Sequence, residues 1–408
     1  MKLSRLLPAF AVVGVILTAC GGNNNPSSSS SATVPSDLSI QSFTADFSYM
    51  PKLKDLVGAG KGKVGVILPD TTSSVRYVQF DQPYLQKAFE QAGYKSSDFT
   101  IGNAQGQEAQ ELALAQADIT NGATVLIMDP LNSTVGSQIQ QLAQSKGVKV
   151  ISYDRATFTG TNTYYVSFDN VQVGELIGKG FVQCVSDWGI KNAQVFELDG
   201  GQNSDPNAVS FAQGYNDAIW SKKQAHVDVG ATNSQGMKLV NEQVATDWKN
   251  DVGQTIFQQA YTAHPNINAT VEANDGLGNA VVTVLKSRGV KAKSVPTTGQ
   301  DATPDGMANV LTDFQCGSVY KAVYLEAQAA VALATVLRAS ATPPSALVNG
   351  TTSPPSGVSG NQQPAILLVP IWVTKANMKD TVIKDNFVDK TALCQKVTAA
   401  VCSAAGIS

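Results

Sequence analysis

The stretch VLIMDPLNSTVGSQIQQLAQSKGVKVISYDR, residues 125–155, decides how this chain is built. Two apolar, β-branched runs, VLIMDP at 125–130 and VKVISYD at 148–154, flank a segment in which Val135, Ile139 and Leu142 recur at helical spacing. Pro130 ends the first run, because proline has no amide to give a sheet and pushes the residue before it out of the helical region. Gly147 supplies the stop after the helix. Strand, helix and second buried strand in about thirty residues make a parallel β-α-β unit, since a crossover is needed to bring the chain back beside its own start.

The same order extends in both directions. Upstream, KVGVILP at 63–69 reads as a strand, and Leu85, Phe89 and Ala92 mark one helical face after it. Downstream come VFELDG at 195–200, a helix through Phe211 to Trp220, HVDVGA at 226–231, a helix near 250–263 and NATVEAND at 268–275. Alternating strands and helices predict an α/β fold, here two similar halves, each a doubly wound parallel sheet. No short repeat points to a solenoid. The segment 342–364 is rich in Pro, Gly, Ser and Thr and is expected to be an exposed loop.

The 408 residues allow two or three packed units, and 43% hydrophobic with 15% charged residues fits a soluble globular body. The net charge of −3 argues against nucleic acid as a partner. At the start, Lys2 and Arg5 precede an apolar run from Leu6 to Ala19, and Leu17-Thr18-Ala19-Cys20 reads as a lipobox. That run is too short to span a bilayer as a helix, so residues 1–19 are read as a removed signal and Cys20 as an acylated membrane anchor. The polar stretch Gly21 to Asp37 cannot form a core, and residues 20–60 are assigned to a tether. Four further cysteines, Cys184, Cys316, Cys394 and Cys402, allow three pairings in an exported chain. Cys394 with Cys402 is preferred, closing a short loop in a C-terminal extension over 391–408; Cys184 and Cys316 are left either paired or as buried thiols.

Classes of chemistry can be excluded. The two histidines, His226 and His264, share no ligand spacing such as HExxH and are assigned surface roles, so no metal and no cofactor is expected. GxSxG, GxxxxGK[ST] and a helix-turn-helix are absent, and GLGNAV at 276–281 reads as a helix start. Polar residues instead gather just past the carboxyl ends of strands, where open α/β sheets present a crevice. Arg76 and Tyr77 follow the first strand, Asp154 and Arg155 follow ISYD, Asp205 and Asn207 follow VFELDG, Asn274 and Asp275 follow TVEA, and Asp301 follows SVPTTGQ. Each Asp or Asn alone reads equally well as a helix cap; their recurrence in both halves points to one cleft. Such planar hydrogen-bonding groups suit sugar hydroxyls, and Tyr77 and Trp248 offer aromatic faces for a ring's C–H surface. Trp248, in the polar stretch ATDWKND, is expected to be half-exposed. Arg76, Arg155 and Lys321 balance Asp154, Asp205 and Asp301, which favours an uncharged ligand.

In order along roughly residues 62–390, the blocks VKVISYDR, YYVSFDNVQVGELIGKG, EANDGLGNAV, TTGQDA, SVYKAV and MKDTVIKDNF resemble the type I periplasmic binding proteins, in particular the D-xylose-binding branch of sugar receptors for ABC importers. The resemblance implies two lobes joined by three crossing strands, near FDN at 168–170, GQD at 299–301 and VPIW at 369–372, closing over a sugar by hinge motion. It places residues 61–168 and 302–365 in the N-terminal lobe and 169–301 and 366–390 in the C-terminal lobe. It also implies a monosaccharide held by Arg76, Tyr77, Asp154 and Arg155 from one lobe and by Asp205, Asn207, Trp248 and Asn274 from the other, with Asp301 and Lys321 completing the set and D-xylose the first expectation. The implied partners are a permease with its ATPase, met as a monomer at the outer face of the membrane. Tyr77 stands where that branch has Trp, and Pro206 and the C-terminal extension also depart from it. Alternative readings are a receptor for glucose, galactose, arabinose or ribose, a sensor feeding a signalling kinase, and a glycan hydrolase using Asp154 and Asp205 as acid and base.

Overall fold

The computed structural model describes residues 33–161 and 163–407; the signal segment, Cys20 and the polar stretch through residue 32 lie outside them. Among the described residues, twelve strands run β1 Lys63–Leu68, β2 Phe99–Asn103, β3 Ala123–Met128, β4 Lys149–Tyr153, β5 Thr163–Phe168, β6 Gln194–Asp199, β7 Lys238–Val244, β8 Ala269–Glu272, β9 Ser318–Tyr320, β10 Gly350–Thr352, β11 Gln363–Leu368 and β12 Ile371–Val373. The helices are α1 Lys54–Ala59, α2 Gln82–Ala92, α3 Glu108–Thr120, α4 Ser133–Ser145, α5 Asn170–Asp187, α6 Pro206–Trp220, α7 Asn250–Ala263, α8 Asp275–Ser287, α9 Pro304–Leu311, α10 Val323–Arg338, α11 Lys390–Lys396 and α12 Ala399–Ala404.

In the N-terminal lobe the strand order is β10-β11-β5-β4-β3-β1-β2, parallel throughout except for β10 against β11. The central strands are apolar without alternation because helices cover both faces: Val64, Val66, Ile67, Leu126 and Ile127 are fully buried. The C-terminal lobe carries the parallel sheet β7-β6-β8, and a backbone bridge between Gln300 and Val319 joins the segment after α8 to the antiparallel pair β9 and β12. Disulfides link Cys184 on α5 to Cys316 just before β9, and Cys394 on α11 to Cys402 on α12. The C-terminal extension packs down: Leu393 and Ile407 are buried, and Lys396 pairs with Asp305 of α9 at 2.7 Å.

Several boundaries read from sequence are corrected. The tether does not reach residue 60: Leu38, Phe47, Met50 and Leu53 are fully buried, and the amide of Gln328 on α10 donates to the Thr44 carbonyl at 2.9 Å, so residues from 33 onward belong to the N-terminal lobe. The second crossing lies at Lys321–Val323 rather than at 301–302, because the Asp301 amide donates to the Val319 carbonyl and β9 pairs with β12 inside the C-terminal lobe. Residues 366–368 belong to β11 of the N-terminal sheet, and Phe387 returns to stack on Phe80 at 4.0 Å, so 366–390 is not wholly C-terminal lobe. HVDVGA is irregular; the place beside β6 goes to KLVNEQV, whose Leu239 is buried in register with Val195. SVPTTGQ contributes a single bridge rather than a strand, and the loop at 342–364 contains the edge strand β10.

Buried acids give the fold a pH signature. Burial pushes the carboxyls of Glu111, Glu197, Glu272 and Glu326 from an ordinary 4.5 up to about 8. A folded state that binds its protons more tightly than the unfolded chain is favoured below the unfolded value and loses that advantage as pH rises through the folded one. The urea midpoint is therefore expected to fall between pH 5 and pH 8.5; a midpoint that is flat or rises over this window would contradict the burial of these four groups.

Candidate binding site

A cleft lies between the lobes, lined by Ser73, Ser74, Arg76, Tyr77, Asp154, Arg155, Asp205, Asn207, Phe211, Trp248, Asn274, Gln300, Asp301 and Lys321. All ten residues singled out in the sequence meet there. The reason is topological: all but Asp301, which follows the Gln300 bridge, come after the carboxyl end of a strand, and both sheets direct those ends into the gap. Asp154 (φ 55°), Trp248 (φ 61°) and Asp301 (φ 90°) sit in the left-handed backbone region, which non-glycine residues occupy only when the surroundings hold them there.

The walls are an ion network. The Arg76 guanidinium, only 1% exposed, grips both oxygens of Asp81 at 2.7 and 2.9 Å, donates to Asp154 Oδ1 at 2.7 Å and to Glu326 Oε2 at 2.8 Å. Four of its donor contacts are thus spent on the protein. Arg155 reaches Ser73 Oγ at 3.1 Å and the Leu131 carbonyl at 3.2 Å, and lies 3.7 Å from Asp205. Lys321 Nζ is 3.0 Å from Asp301 and 3.7 Å from Asp154. Burial alone would raise the Asp154 carboxyl; Arg76, Lys321 and Arg155 outweigh it and hold it below its ordinary value. Burial wins at Asp205, whose carboxyl rises despite Arg155, and at Asp129 behind the wall, which is pushed well up. The lining thus keeps three cations against three carboxylates, with Asp81, Asp129 and Glu326 as a hidden acidic tier.

Other groups set the shape. Tyr77 lies between two guanidiniums, 5.7 Å from that of Arg76 and 5.5 Å from that of Arg155, and donates to Asp154 Oδ2 at 3.2 Å. Trp248 is buried, not half-exposed as its polar neighbours suggested: its ring lies against Gly200 and Gly201, where an added Cβ would stand 1.9 Å and 2.9 Å from it. Its Nε1 donates to Asp205 Oδ2 at 3.1 Å, and its ring meets Phe211 edge-on at 6.2 Å. Asp205 and Asn274 are also N-caps, of α6 and α8. Asn207 stitches the lobes together, donating to the Asp154 carbonyl at 2.7 Å and accepting from the Ala156 amide at 3.2 Å. The Ser133 amide adds a second interlobe bond to the Ser204 carbonyl at 3.0 Å. Gln300 Oε1 is buried and accepts no protein hydrogen bond among the described residues.

The sequence reading missed Ser73, Ser74, Phe211 and Gln300. Phe211 was within reach, since it follows Asn207 by one helical turn on the same face of α6. Gln300 adjoins Asp301, and the two serines precede Arg76 in one loop.

A model of the periplasmic binding protein domain matches residues 64–340. The chain belongs to the periplasmic binding protein family. Among its relatives, the D-xylose-binding periplasmic protein of Escherichia coli is 31% identical over 328 residues, covering 80% of this chain and 90% of the relative. The multiple sugar-binding periplasmic protein SbpA of Azospirillum brasilense is 29% identical over 335 residues, covering 80% and 90%. A carbohydrate transporter solute binding protein from Chloroflexus aurantiacus, solved with D-glucose, shares the fold with a TM-score of 0.67 at 23% identity, over 81% of this chain and 97% of that one. This periplasmic binding protein is a sugar receptor of the transport type and not an enzyme. The acid–base reading of Asp154 and Asp205 falls with that result, and Asp154 is in any case held charged by three cations.

Proposed function

We propose that this chain is an extracytoplasmic receptor that captures one neutral monosaccharide, D-xylose before others, and hands it to an ABC permease as a monomer anchored through acylated Cys20. The observation that carries the reading is the lining of the cleft: three cations face three carboxylates, while hydroxyl, amide and carboxylate groups surround the three rings of Tyr77, Phe211 and Trp248. Gln300 Oε1 offers an unused acceptor for a sugar hydroxyl. The E. coli relative named for D-xylose supports the choice of sugar. Asp154, Arg155, Asp205, Asn274, Asp301 and Lys321 are assigned to hold the hydroxyls, with Arg76 and Asn207 mainly fixing their neighbours.

Titration calorimetry of residues 33–408 with D-xylose, glucose, galactose, arabinose and ribose tests the assignment. Saturable heat with D-xylose at the lowest Kd is expected; no heat with any of the five would overturn it. For the anchor, a Cys20→Ala chain expressed in its own host is expected to leave the membrane fraction, and its retention there would rule the lipid anchor out.

A further inference from the structure

Away from the cleft, three residues converge at the exposed edge of the C-terminal sheet. Asp199 ends β6, Glu242 lies on β7, and His226 comes from the irregular segment between α6 and β7. Their potential ligand atoms all lie within 4.8 Å of one another. The imidazole Nδ1 is 2.5 Å from Glu242 Oε1, and its side chain is 65% exposed, whereas Asp199 is 1% exposed. Both carboxylates are already oriented from behind. The Tyr215 hydroxyl donates to Asp199 Oδ1, and the Val227 amide donates to Glu242 Oε2 at 3.1 Å. Asp199 Oδ2 is left buried with no hydrogen-bond partner among the described residues. Glu197, in register with Glu242, adds another buried oxygen without a partner.

We propose that Asp199, His226 and Glu242 form a binding site for a divalent first-row transition ion of the Zn²⁺ class. Buried carboxylates brought together by adjacent strands repel, and desolvation makes each unpaired oxygen costly. A divalent cation meets both problems at once, and one imidazole nitrogen with two carboxylate oxygens is a donor set that Zn²⁺ accepts. Metal bonds of about 2.0–2.2 Å set ligand atoms up to roughly 4 Å apart, so a small turn of the exposed ring completes the geometry. The Tyr215 and Val227 contacts are the outer hydrogen bonds that metal-binding carboxylates require. Bound there, the ion pins the segment between Trp220 and Lys238 to the sheet. The positions 199, 226 and 242 match no spacing motif, which is why His226 reads as a surface residue from its neighbours alone.

The test is thermal unfolding of the chelator-treated protein with and without ZnCl₂, on the natural sequence and on His226→Ala and His264→Ala. Zn²⁺ is expected to raise Tm by about 5 °C at saturation for the natural chain and for His264→Ala, and to leave His226→Ala unmoved. Glu242→Gln serves as a second variant with the imidazole intact and is expected to lose the shift as well. No Zn²⁺ shift in the natural chain, or an equal shift in His226→Ala and Glu242→Gln, would overturn the site.

Discussion

Replacing Arg76 with methionine is expected to destabilise the folded chain by about 3–5 kcal/mol, read as a lower urea midpoint at unchanged slope. Methionine keeps much of the side chain's bulk, so the loss isolates charge rather than volume. Arg76 is the common partner of Asp81, Asp154 and Glu326, and the Tyr153 hydroxyl also leans on Asp81 at 2.7 Å. Without the guanidinium those carboxylates are buried together with Lys321 as the nearest remaining cation, 3.7 Å from Asp154 alone. Protonation then becomes the cheapest relief, so the deficit is expected to shrink from pH 8 to pH 5, the direction in which Glu326, already raised to about 8, takes its proton. Arg76→Lys should recover part of the loss, since a single ammonium cannot grip Asp81 with a fork and reach two more acids. A methionine variant as stable as the parent at pH 8 would remove Arg76 from the centre of the network.

The second large effect concerns the ligand. Trp248→Ala is expected to weaken sugar binding by at least ~1.5 kcal/mol, roughly tenfold or more in Kd, measured by calorimetry at a temperature where the variant remains folded. The indole both walls the cavity and holds Asp205 through Nε1, so its removal takes away a ring face and frees a carboxylate. Trp248→Phe separates the two, retaining a ring while losing the hydrogen bond, and should fall between. Gly200→Ala approaches the same point from the other side: its Cβ would stand 1.9 Å from the indole, so the ring must leave its seat. Unchanged affinity in Trp248→Ala and Gly200→Ala would exclude this wall from recognition.

Both results depend on features that sequence exposes to different degrees. The central strands were legible because parallel strands buried on both faces read as unbroken apolar runs, as in KVGVILP and VLIMDP. Ten of the lining residues were legible, most because they follow a predicted strand end, Trp248 as a ring in a polar stretch and Lys321 through charge balance and the family resemblance. Asp81 and Glu326 were not, since a carboxylate on a helix reads as solvated surface until a guanidinium from another element is found beside it. Trp248 misled for a related reason: polar neighbours describe the chain's outer side, whereas the side chain's burial is set by two glycines far away in sequence. HVDVGA outscored KLVNEQV in β-branched density, yet register with β6 is a tertiary matter that local composition does not carry. Residues 38–53 were grouped with the tether by their position behind a polar stretch, although Leu38, Phe47, Met50 and Leu53 supply the apolar spacing of a packed strap.

That strap decides on which half of the receptor the preceding chain enters. Its apolar residues are sunk into the core and Gln328 of α10 holds the Thr44 carbonyl, so residues 38–53 travel with the N-terminal lobe. Whatever precedes residue 33 therefore joins the receptor on the N-terminal lobe, across the cleft from the lobe that carries Trp248 and Asp205.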